Sequence, residues 1–296
     1  MDGIINVLKP PGMTSFDVVA LLRGITGIRK VGHAGTLDPM AAGVLPVCAG
    51  RATKAVEFLA DKEKLYRTEL TLGIATDTQD TTGRILSSST PDATDNQIEE
   101  AISSFEGKYN QLPPMHSAIR IDGKRLYELA REGVEIERKK REVEIYSVKV
   151  IHIDRTDGVK VLIDVHCSKG TYIRTLCADI GERLGCGGCM SFLLRLRAGP
   201  FDILDSVTLE ELARRREEGT IKEIVAGVDR IFSNLENYVL DEETERKFRN
   251  GMHIPLRNND AQGGIMRVYG SSGDFIAIGT IINTKSGKYL KVRKFF

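Results

Sequence analysis

The chain has 296 residues, enough for one large domain or for two unequal ones. Its 42 Lys and Arg residues balance 41 Asp and Glu residues, and 41% of the residues are hydrophobic. This composition excludes a disordered chain and a uniformly basic coat for nucleic acid, so any nucleic-acid site must be a local feature. No stretch reaches the ~18 apolar residues of a membrane span, and no basic segment precedes an apolar one at the start. We therefore expect neither a membrane protein nor a secreted one.

Five cysteines are thinly spread over the chain, an odd number that is atypical of a disulfide framework and fits the cytoplasm. Cys186 and Cys189 form a single Cys-x-x-Cys pair, which would suit a redox pair, or half of a zinc site with His166 and Cys167 as further ligands. A zinc ribbon needs two such pairs, and a redox pair must open a helix, whereas this one follows a helix that ends at Gly185. Buried or incidental cysteines are the favoured interpretation.

The first fifty residues predict a strand, a helix and a long loop. Gly3–Lys9 has the pattern of a strand, and Thr14 with Asp17 forms the capping box that begins a helix. The apolar residues at helical spacing in this helix are Val18, Leu21, Leu22 and Ile25. Residues 31–50 contain four glycines and two prolines, which break regular structure and predict a loop.

Strands and helices then alternate without a regular repeat. In chain order the pattern predicts a helix over residues 52–59, a strand over residues 65–72, a helix capped by Thr94 and Gln97, a strand over Val159–Cys167, a helix over residues 173–184, a strand with one basic face over residues 192–197, and a helix opened by Thr208 and Glu211. This order predicts an α/β (α+β) fold with a mixed, mainly antiparallel sheet flanked by helices.

The last sixty residues differ from the rest of the chain in their pattern of predicted elements. A short helix ending near Gly251 is followed by short alternating strands with glycine-containing turns. This pattern predicts a small β-barrel appended to the main domain, with the linker between Ile231 and Tyr238. We therefore expect a domain over residues 1–235 and a second domain over residues 236–296.

A glycine-rich loop contains the most informative carboxylate. Residues 32–43 are too rich in glycine for a core element, and within them Asp38 precedes Pro39. The proline favours an extended backbone at Asp38, so the carboxylate can project from a rigid turn. On residue chemistry alone a simple turn carboxylate is the favoured interpretation, and His33 fits a core or a surface position equally well.

Five separated blocks of sequence follow one another in a recognisable order. They are Lys-Pro-Pro-Gly at 9–12, the loop at 35–43 with Leu-Asp-Pro at 37–39, Thr-Asp-Thr-Gln-Asp at 76–80, residues 113–118 with 123–131, and residues 168–176. One short motif would be weak evidence, but five in order are specific. Together they resemble the bacterial TruB family of tRNA pseudouridine synthases over nearly the whole chain, which implies the pseudouridine synthase fold.

The resemblance implies conversion of uridine 55, in the T-psi-C arm of tRNA, to pseudouridine. The glycosidic bond moves from N1 to C5 without redox change or an energy source, so no cofactor and no metal are expected. A single ionised carboxylate suits this reaction, since it can attack C6 of the base, trap C1′ of the ribose or remove a sugar proton. The sequence leaves these three roles of Asp38 open.

The family pattern implies three catalytic residues, which are Asp38, Tyr66 and Arg174. Arg174 lies in the first turn of a predicted helix, where the helix dipole opposes a cation, so a compensating partner is expected. By the family pattern that partner is Asp38, which Arg174 would orient and keep ionised. Tyr66 would stack on the target base and assist removal of the C5 proton, although the strand pattern also fits a half-buried aromatic.

The same pattern implies residues that bind the substrate. A uridine within a folded arm must be flipped out at a cost of a few kcal/mol, and His33 would stack where the base had been. The further expected contacts are Lys9, Pro10, Tyr172 and Leu196. Asp77 and Asp80 are expected to be structural or to support the site, and Leu196 also fits a core strand position.

Two further parts of the chain are expected to bind tRNA. Eight cations lie within 22 residues, accompanied by six acids, and they are Arg120, Lys124, Arg125, Arg131, Arg138, Lys139, Lys140 and Arg141. By the resemblance, residues 119–142 are a thumb-like insertion that closes over the T-arm. Residues 236–296 are similar to a PUA-type RNA-binding module.

The sequence leaves three alternative functions to weigh. An RNA-guided homologue is disfavoured because the thumb-like insertion suits direct recognition, so we expect a monomer that binds tRNA without a guide RNA. A binding protein without chemistry is opposed by the intact set Asp38, Tyr66 and Arg174. A hydrolase using Asp38 and Asp80 as a carboxylate pair would release uracil, and no motif supports release.

Overall fold

The computed structural model describes residues 1–117, 119–121, 123–134, 136–256, 264–285 and 287–296. Within these ranges the chain forms a large sheet flanked by helices, followed by a smaller five-stranded sheet. No helix in the described ranges is long and apolar enough to cross a membrane.

The elements follow in chain order. The strands are β1 Gly3–Lys9, β2 Val31–His33, β3 Ala42–Ala49, β4 Lys64–Leu72, β5 Ile74–Thr76, β6 Ile85–Ser88, β7 Gly107–Gln111, β8 Arg120–Ile121, β9 Lys124–Arg125, β10 Arg141–Asp154, β11 Val159–Cys167, β12 Gly188–Ala198, β13 Phe201–Asp202, β14 Val225–Ala226, β15 Asn237–Val239, β16 Ile254–Pro255, β17 Ile265–Tyr269, β18 Phe275–Thr284 and β19 Gly287–Phe295. The helices are α1 Ser15–Thr26, α2 Val56–Ala60, α3 Asp95–Ser103, α4 Leu126–Arg131, α5 Ile173–Arg183, α6 Leu209–Glu217 and α7 Glu242–Arg249.

The large sheet has the order β14-β1-β3-β12-β4-β11-β10-β7, with β2 added to β3 and β13 to β12. The β3–β12 pair in its middle is parallel, and the other pairs are antiparallel. Helices α1 and α6 share one apolar core with β1 and β3, whereas α3 and α5 share another with β4 and β11. The predicted mixed, mainly antiparallel sheet flanked by helices is therefore confirmed.

Local sequence signals place most of these elements where they were predicted. The capping box of Thr14 and Asp17 forms at the start of α1, and Thr94 and Gln97 form another before α3. The buried face of α1 differs from the prediction by one position, because Leu21 is 43% exposed while Val19 is buried. Helix α1 crosses its neighbours at an angle that the residue spacing alone does not fix.

The prediction of one loop over residues 31–50 is wrong at both ends. Strands β2 and β3 occupy its flanks, and only residues 34–41 form the connecting loop. The segment from Val44 to Ala49 is a continuous apolar run, which suits a strand buried on both faces. Pro46 removes only its own N–H group, and its carbonyl still accepts a hydrogen bond from the Ala34 N–H at 3.0 Å.

Two further predictions need correction in detail. The helix predicted over residues 52–59 begins as a 3₁₀ helix over Gly50–Ala55 and continues as α2. The strand predicted at 192–197 is part of the longer β12, and Arg195 of its basic face is 1% exposed. Arg195 lies at the parallel junction of β3 and β12, opposite Gly43.

The smaller sheet has the order β15-β17-β18-β19-β16 and corresponds to the predicted small β-barrel, as a curled half-barrel. Its β18 and the end of the chain pack on the first part of the molecule through an aromatic cluster of Phe58, Phe232, Phe275 and Phe296, with ring centroids 5.2–6.2 Å apart. Four aromatic rings from separate elements fix how the two sheets meet.

We expect Gly43→Ala to destabilise the fold strongly. Gly43 has a φ of 113°, and an added Cβ would lie 2.3 Å from the Arg195 carbonyl oxygen. Denaturant unfolding should show a loss of about 3 kcal/mol or more. The control is Gly24→Ala in the exposed interior of α1, where an added Cβ meets nothing within 4 Å, and a gain of about 0.5–1 kcal/mol is expected. Equal stability of the two variants would contradict this account.

Candidate active site

The loop over residues 34–41 is held by side chains on both sides of Asp38. Ser15, the first residue of α1, is buried, accepts from the Leu37 N–H at 2.9 Å and donates to the Leu37 carbonyl at 3.2 Å. On the other side the Lys9 ammonium donates to the Pro39 carbonyl at 3.3 Å. Because the residue before Asp38 and the residue after it are both fixed, the carboxylate projects from a rigid backbone.

Arg174 is the direct partner of Asp38. Its Nε lies 2.9 Å from Asp38 Oδ2, and its Nη2 donates to Asp38 Oδ1 at 3.3 Å. The Arg174 side chain is 6% exposed, whereas that of Asp38 is 36% exposed. The fork of the guanidinium therefore fixes both carboxylate oxygens while the carboxylate keeps an open side.

A second carboxylate shares this arginine. Asp80 Oδ2 lies 3.5 Å from Arg174 Nη1, and the side chains of both residues are 6% exposed. Asp80 Oδ1 accepts hydrogen bonds from the Thr78 and Thr82 hydroxyls at 2.8 and 2.6 Å. Arg174 also donates to the carbonyls of Thr78 at 3.2 Å and His116 at 2.8 Å. The arginine is thus engaged on every side.

Tyr66 and Arg195 lie on adjacent strands beside this network. They are directly opposite each other in the β4–β12 register, and both are buried. Arg195 donates from Nε to the Val44 carbonyl at 2.6 Å and from Nη2 to the Gly35 carbonyl at 3.0 Å. It therefore joins the start of the Asp38 loop to strand β3. Burial raises the pKa of the Tyr66 hydroxyl, and the charge of Arg195 opposes that rise only in part.

Two cavities meet at Asp38 and Arg174. The smaller one, called the inner cavity, has a volume of about 280 Å³. It lies towards the sheet and is lined by Tyr66, Tyr172, Leu193 and Arg195 among others. The larger one, called the outer cavity, has a volume of about 710 Å³. It lies towards α1 and the segment after β7, with Phe16, Asp80, His116 and Tyr127 in its wall. Such a paired recess can admit one nucleoside into the inner cavity while its neighbours stay outside.

Burial raises the pKa of the Asp38 carboxyl above its usual value of 3.8. The charge of Asp80 adds to the rise, whereas the charges of Arg174 and Lys9 oppose it. The ionised form of the Asp38 carboxylate therefore depends on the cation beside it.

Comparison with known proteins agrees with this geometry. Residues 23–173 match the family model described as TruB family pseudouridylate synthase (N terminal domain). Residues 174–238 match the tRNA pseudouridylate synthase B C-terminal domain, and residues 238–285 match Pseudouridine synthase II TruB, C-terminal. The chain belongs to the TruB family of pseudouridine synthases.

Named relatives and solved structures support the same assignment. A tRNA pseudouridine synthase B of Alkaliphilus oremlandii is 51% identical over 86% of this chain and 83% of its own length. The one of Clostridioides difficile is 44% identical over the whole of both chains. An H/ACA RNP structure bound to a substrate RNA containing 2′-deoxyuridine has a TM-score of 0.74 at 26% identity, covering 99% of this chain and 84% of that one. A Cbf5-Nop10-Gar1 complex also has a TM-score of 0.74, at 27% identity and the same coverage.

The resemblance found in the sequence is thus confirmed. The TruB-family chain is a pseudouridine synthase, an isomerase that acts on RNA, and its relatives support tRNA as that RNA. The similarity to the PUA type is compatible with the curled five-stranded sheet at its C-terminal end.

The structure brings together five of the residues that the sequence singled out. They are Asp38, Tyr66, Tyr172 and Arg174 around the inner cavity and Asp80 behind Arg174. Asp77 instead closes a turn, where its Oδ1 accepts from the Arg84 N–H at 2.8 Å. His33 lines neither cavity, and its ring lies edge-on at 5.2 Å to Phe16, which is in the wall of the outer cavity. Burial lowers the pKa of His33, which favours the neutral imidazole.

Three expected substrate contacts lie elsewhere. Lys9 is fully buried and donates to three backbone carbonyls, so it supports the loop and faces no cavity. Pro10 is exposed and lines neither cavity at Asp38. Leu196 lies at a β-bulge, because Arg195 is opposite Tyr66 and Arg197 is opposite Leu65, and Leu193 of the same strand lines the inner cavity. Contact of Lys9, Pro10 and Leu196 with the substrate stays a prediction.

Sequence reasoning missed Arg195 and Phe16. Arg195 alternates in phase with buried Leu193, and a cation in phase with a buried apolar residue is a signal for a functional or structural arginine. Phe16 is 58% exposed at the first turn of α1 and lines the outer cavity. An exposed aromatic cannot be told from a core aromatic by helical spacing, so no sequence signal marks it.

The basic segment is only partly described. The side chains of Arg120, Arg125 and Arg131, and residues 122 and 135, lie outside the described residues. Within the described part, Lys124 pairs with Glu132 at 3.2 Å, and Arg138 donates to the Pro113 carbonyl at 3.0 Å. Some of these cations thus hold the segment itself together.

The cysteines favour the structural interpretation. All five are free, and Cys186 alone is not fully buried. Burial raises the pKa of the Cys48, Cys167 and Cys177 thiols to about 12. Across the described ranges, no group of three or more His, Cys, Asp or Glu residues is arranged to hold a metal ion, so the considered zinc site has no support.

The buried Lys9 predicts a pH-dependent stability. Burial lowers the pKa of Lys9 from 10.5 to about 8. Below pH 8 the ammonium is charged in both states, but only in the native state is this charge buried and therefore unfavourable. Since the unfolded state binds more protons between these values, the free energy of unfolding rises with pH there, by at most roughly 3 kcal/mol. Lys9→Met should lack this rise in denaturant unfolding. Lys64→Met should show a similar loss, because burial lowers the pKa of Lys64 to about 8 as well. Parallel pH profiles for wild type and both variants would refute this account.

Proposed function

We propose that this protein isomerises uridine 55 in the T-psi-C arm of tRNA to pseudouridine, with Asp38 as the reacting carboxylate. The observation that carries the proposal is the Asp38–Arg174 pair at 2.9 Å, in which the partly exposed Asp38 carboxylate faces a cavity that Tyr66 also lines. A carboxylate that only closed a turn would not need a buried cation of its own.

The reaction balances without any added group. The C1′–N1 bond breaks, the base turns within the cavity, the C1′–C5 bond forms, C5 loses its proton and N1 gains one. No electrons enter or leave, so the chemistry needs no cofactor. Asp38 either attacks C6, traps C1′ or takes a sugar proton, and each role needs the ionised carboxylate that Arg174 stabilises.

Tyr66 forms the floor under the base. Its ring is buried in the inner cavity beside Leu193, which suits stacking on a flat pyrimidine. The raised pKa of its hydroxyl keeps it protonated at neutral pH. The ring therefore positions the base, and removal of the C5 proton by Tyr66 would require its own proton to leave first.

The target uridine enters by base flipping. The inner cavity is a recess with Asp38, Tyr66 and Arg174 in its wall, and a base can enter such a recess only by leaving its helical stack. The exposed Phe16 lines the outer cavity, and His33, kept neutral by burial, lies edge-on to Phe16 at 5.2 Å. They offer ring surface to the gap that the flipped base leaves, where stacking is worth ~1–3 kcal/mol per base.

In this proposal the parts of the chain outside the active site contribute to tRNA recognition. Residues 1–235 form the catalytic domain, residues 119–142 a thumb over the T-arm, and residues 236–296 a PUA-like domain. The protein acts as a cytoplasmic monomer and without a guide RNA, although it shares its fold with chains of H/ACA complexes. The support for direct recognition is the cavity of about 710 Å³ that this chain builds alone.

The decisive test is guide-free release of tritium from T-arm RNA labelled with [5-³H]uridine. Wild type should release tritium, because C5 loses its hydrogen, while Asp38→Ala and Asp38→Asn should fall to the enzyme-free background. A transcript without the target uridine should release none. Tight binding of the arm by wild type with no release would replace the proposal by a binding function, and release of free uracil would indicate a hydrolase.

We also expect the pH–rate profile to have an acid limb, a fall in rate at low pH, whose position depends on Asp80. The ionised form of Asp38 is the active one, and its pKa is raised by burial, so the rate falls with decreasing pH sooner than for an ordinary Asp. Asp80→Asn removes the nearby like charge and should move the limb to lower pH. Single-turnover rates from about pH 5 to 8 measure this, with Asp77→Asn in the exposed turn as control. An unmoved limb in the Asp80 variant would contradict the shared role of Arg174.

A further inference from the structure

The side-chain amide of Gln111, the last residue of β7, is buried against the start of α5. It is 1% exposed. Its Nε2 donates to the Tyr172 carbonyl at 3.0 Å, and its Oε1 accepts from the Tyr172 N–H at 2.8 Å. The same Nε2 also donates to the Tyr109 hydroxyl. Both N–H groups and the oxygen are used, so the orientation of the amide is fixed.

Tyr172 is the N-cap residue of α5, and its side chain makes no capping hydrogen bond. Arg174 follows two residues later, within the first turn. The position of the Tyr172 backbone therefore determines where the helix begins and in which direction Arg174 leaves it. Gln111 supplies the pair of hydrogen bonds that fixes this backbone, across 61 residues of sequence.

The same stretch of chain contacts Arg174 a second time. Five residues after Gln111, the His116 carbonyl accepts from Arg174 Nη2 at 2.8 Å. The end of β7 thus fixes both the backbone before Arg174 and the guanidinium itself. The backbone of Gln111 is already paired with Arg141 of β10, so its side chain is not needed to hold the strand in the sheet.

We propose that Gln111 is a positioning residue for the reaction, which sets the place of Arg174 and, through it, of the Asp38 carboxylate. This inference rests on the proposed function for its kinetic consequence. Its structural consequence, the effect of Gln111 on the Asp38–Arg174 pair, stands apart from the identity of the RNA.

The test compares Gln111→Met, Gln111→Glu and wild type. Met has a similar length but cannot hydrogen-bond to the Tyr172 backbone. The control is Gln97→Met, which removes an equivalent amide from the exposed capping box of α3. Two properties are measured for each protein: kcat and KM for tritium release from the T-arm, and the pKa of Asp38 by ¹³C NMR of labelled aspartate, assigned with Asp38→Asn.

For Gln111→Met we expect kcat to fall about tenfold to a hundredfold, as for a small misplacement of a catalytic group. KM should stay within about twofold. The Asp38 pKa should rise by about one unit, because its cation is less well held. Gln97→Met should change neither property.

Gln111→Glu tests the hydrogen-bond pattern itself. At neutral pH the introduced carboxylate can accept from the Tyr172 N–H but cannot donate to the carbonyl, whereas its protonated form can do both. Its rate relative to wild type should therefore recover as the pH falls. A merely structural role would give no such recovery, and if the Met variant fails to fold, this variant still decides.

The outcomes separate the two proposals. If wild type releases tritium but Gln111→Met keeps its kcat and its Asp38 pKa, the positioning role is wrong and the proposed function stands. If wild type releases no tritium, the proposed function fails. The Asp38 pKa then judges the positioning role alone: a rise in Gln111→Met supports it, and an unchanged value overturns it.

Discussion

The site depends on one buried arginine that must be neutralised. A guanidinium removed from water is costly unless its charge is paired and its N–H groups are used. Arg174 meets this demand with Asp38 at 2.9 Å, Asp80 at 3.5 Å and the carbonyls of Thr78 and His116. These partners come from the loop before β3, the turn after β5 and the segment after β7. The need to neutralise one charge therefore draws together parts of the chain that are far apart in sequence.

Rigidity around Asp38 comes from polar side chains that bind backbone. Ser15 and Lys9 hold the residues on either side of it, and Arg195 joins Gly35 in the loop to Val44 in β3. The parallel β3–β12 junction makes this possible, because it brings Arg195 opposite Gly43, where no side chain fits. A loop without regular hydrogen bonding thus reaches the fixed geometry that a reactive carboxylate needs.

The fold alone does not decide how the RNA is chosen. The chain shares a TM-score of 0.74 with proteins in H/ACA complexes at 26–27% identity, while its named relatives at 44–51% identity are tRNA pseudouridine synthases. Function belongs to the site and to the surfaces around it. Here the aromatic cluster of Phe58, Phe232, Phe275 and Phe296 sets how the smaller sheet packs against the first part of the molecule, so any RNA surface it offers has a defined position.

The sequence by itself determined the elements with strong local signals, the family, and the pairing expected of Asp38 with Arg174. Capping boxes, strand alternation and five ordered motifs are local features, so they can be read along the chain. Tertiary structure decided what depends on register and on distant partners. Strand β3 is hidden from the pattern by Gly43 and Pro46, Leu193 lines the cavity where Leu196 was expected, and the Lys9 ammonium donates to backbone carbonyls. The bonds of Gln111 to Tyr172 span 61 residues, and no local pattern records such a contact.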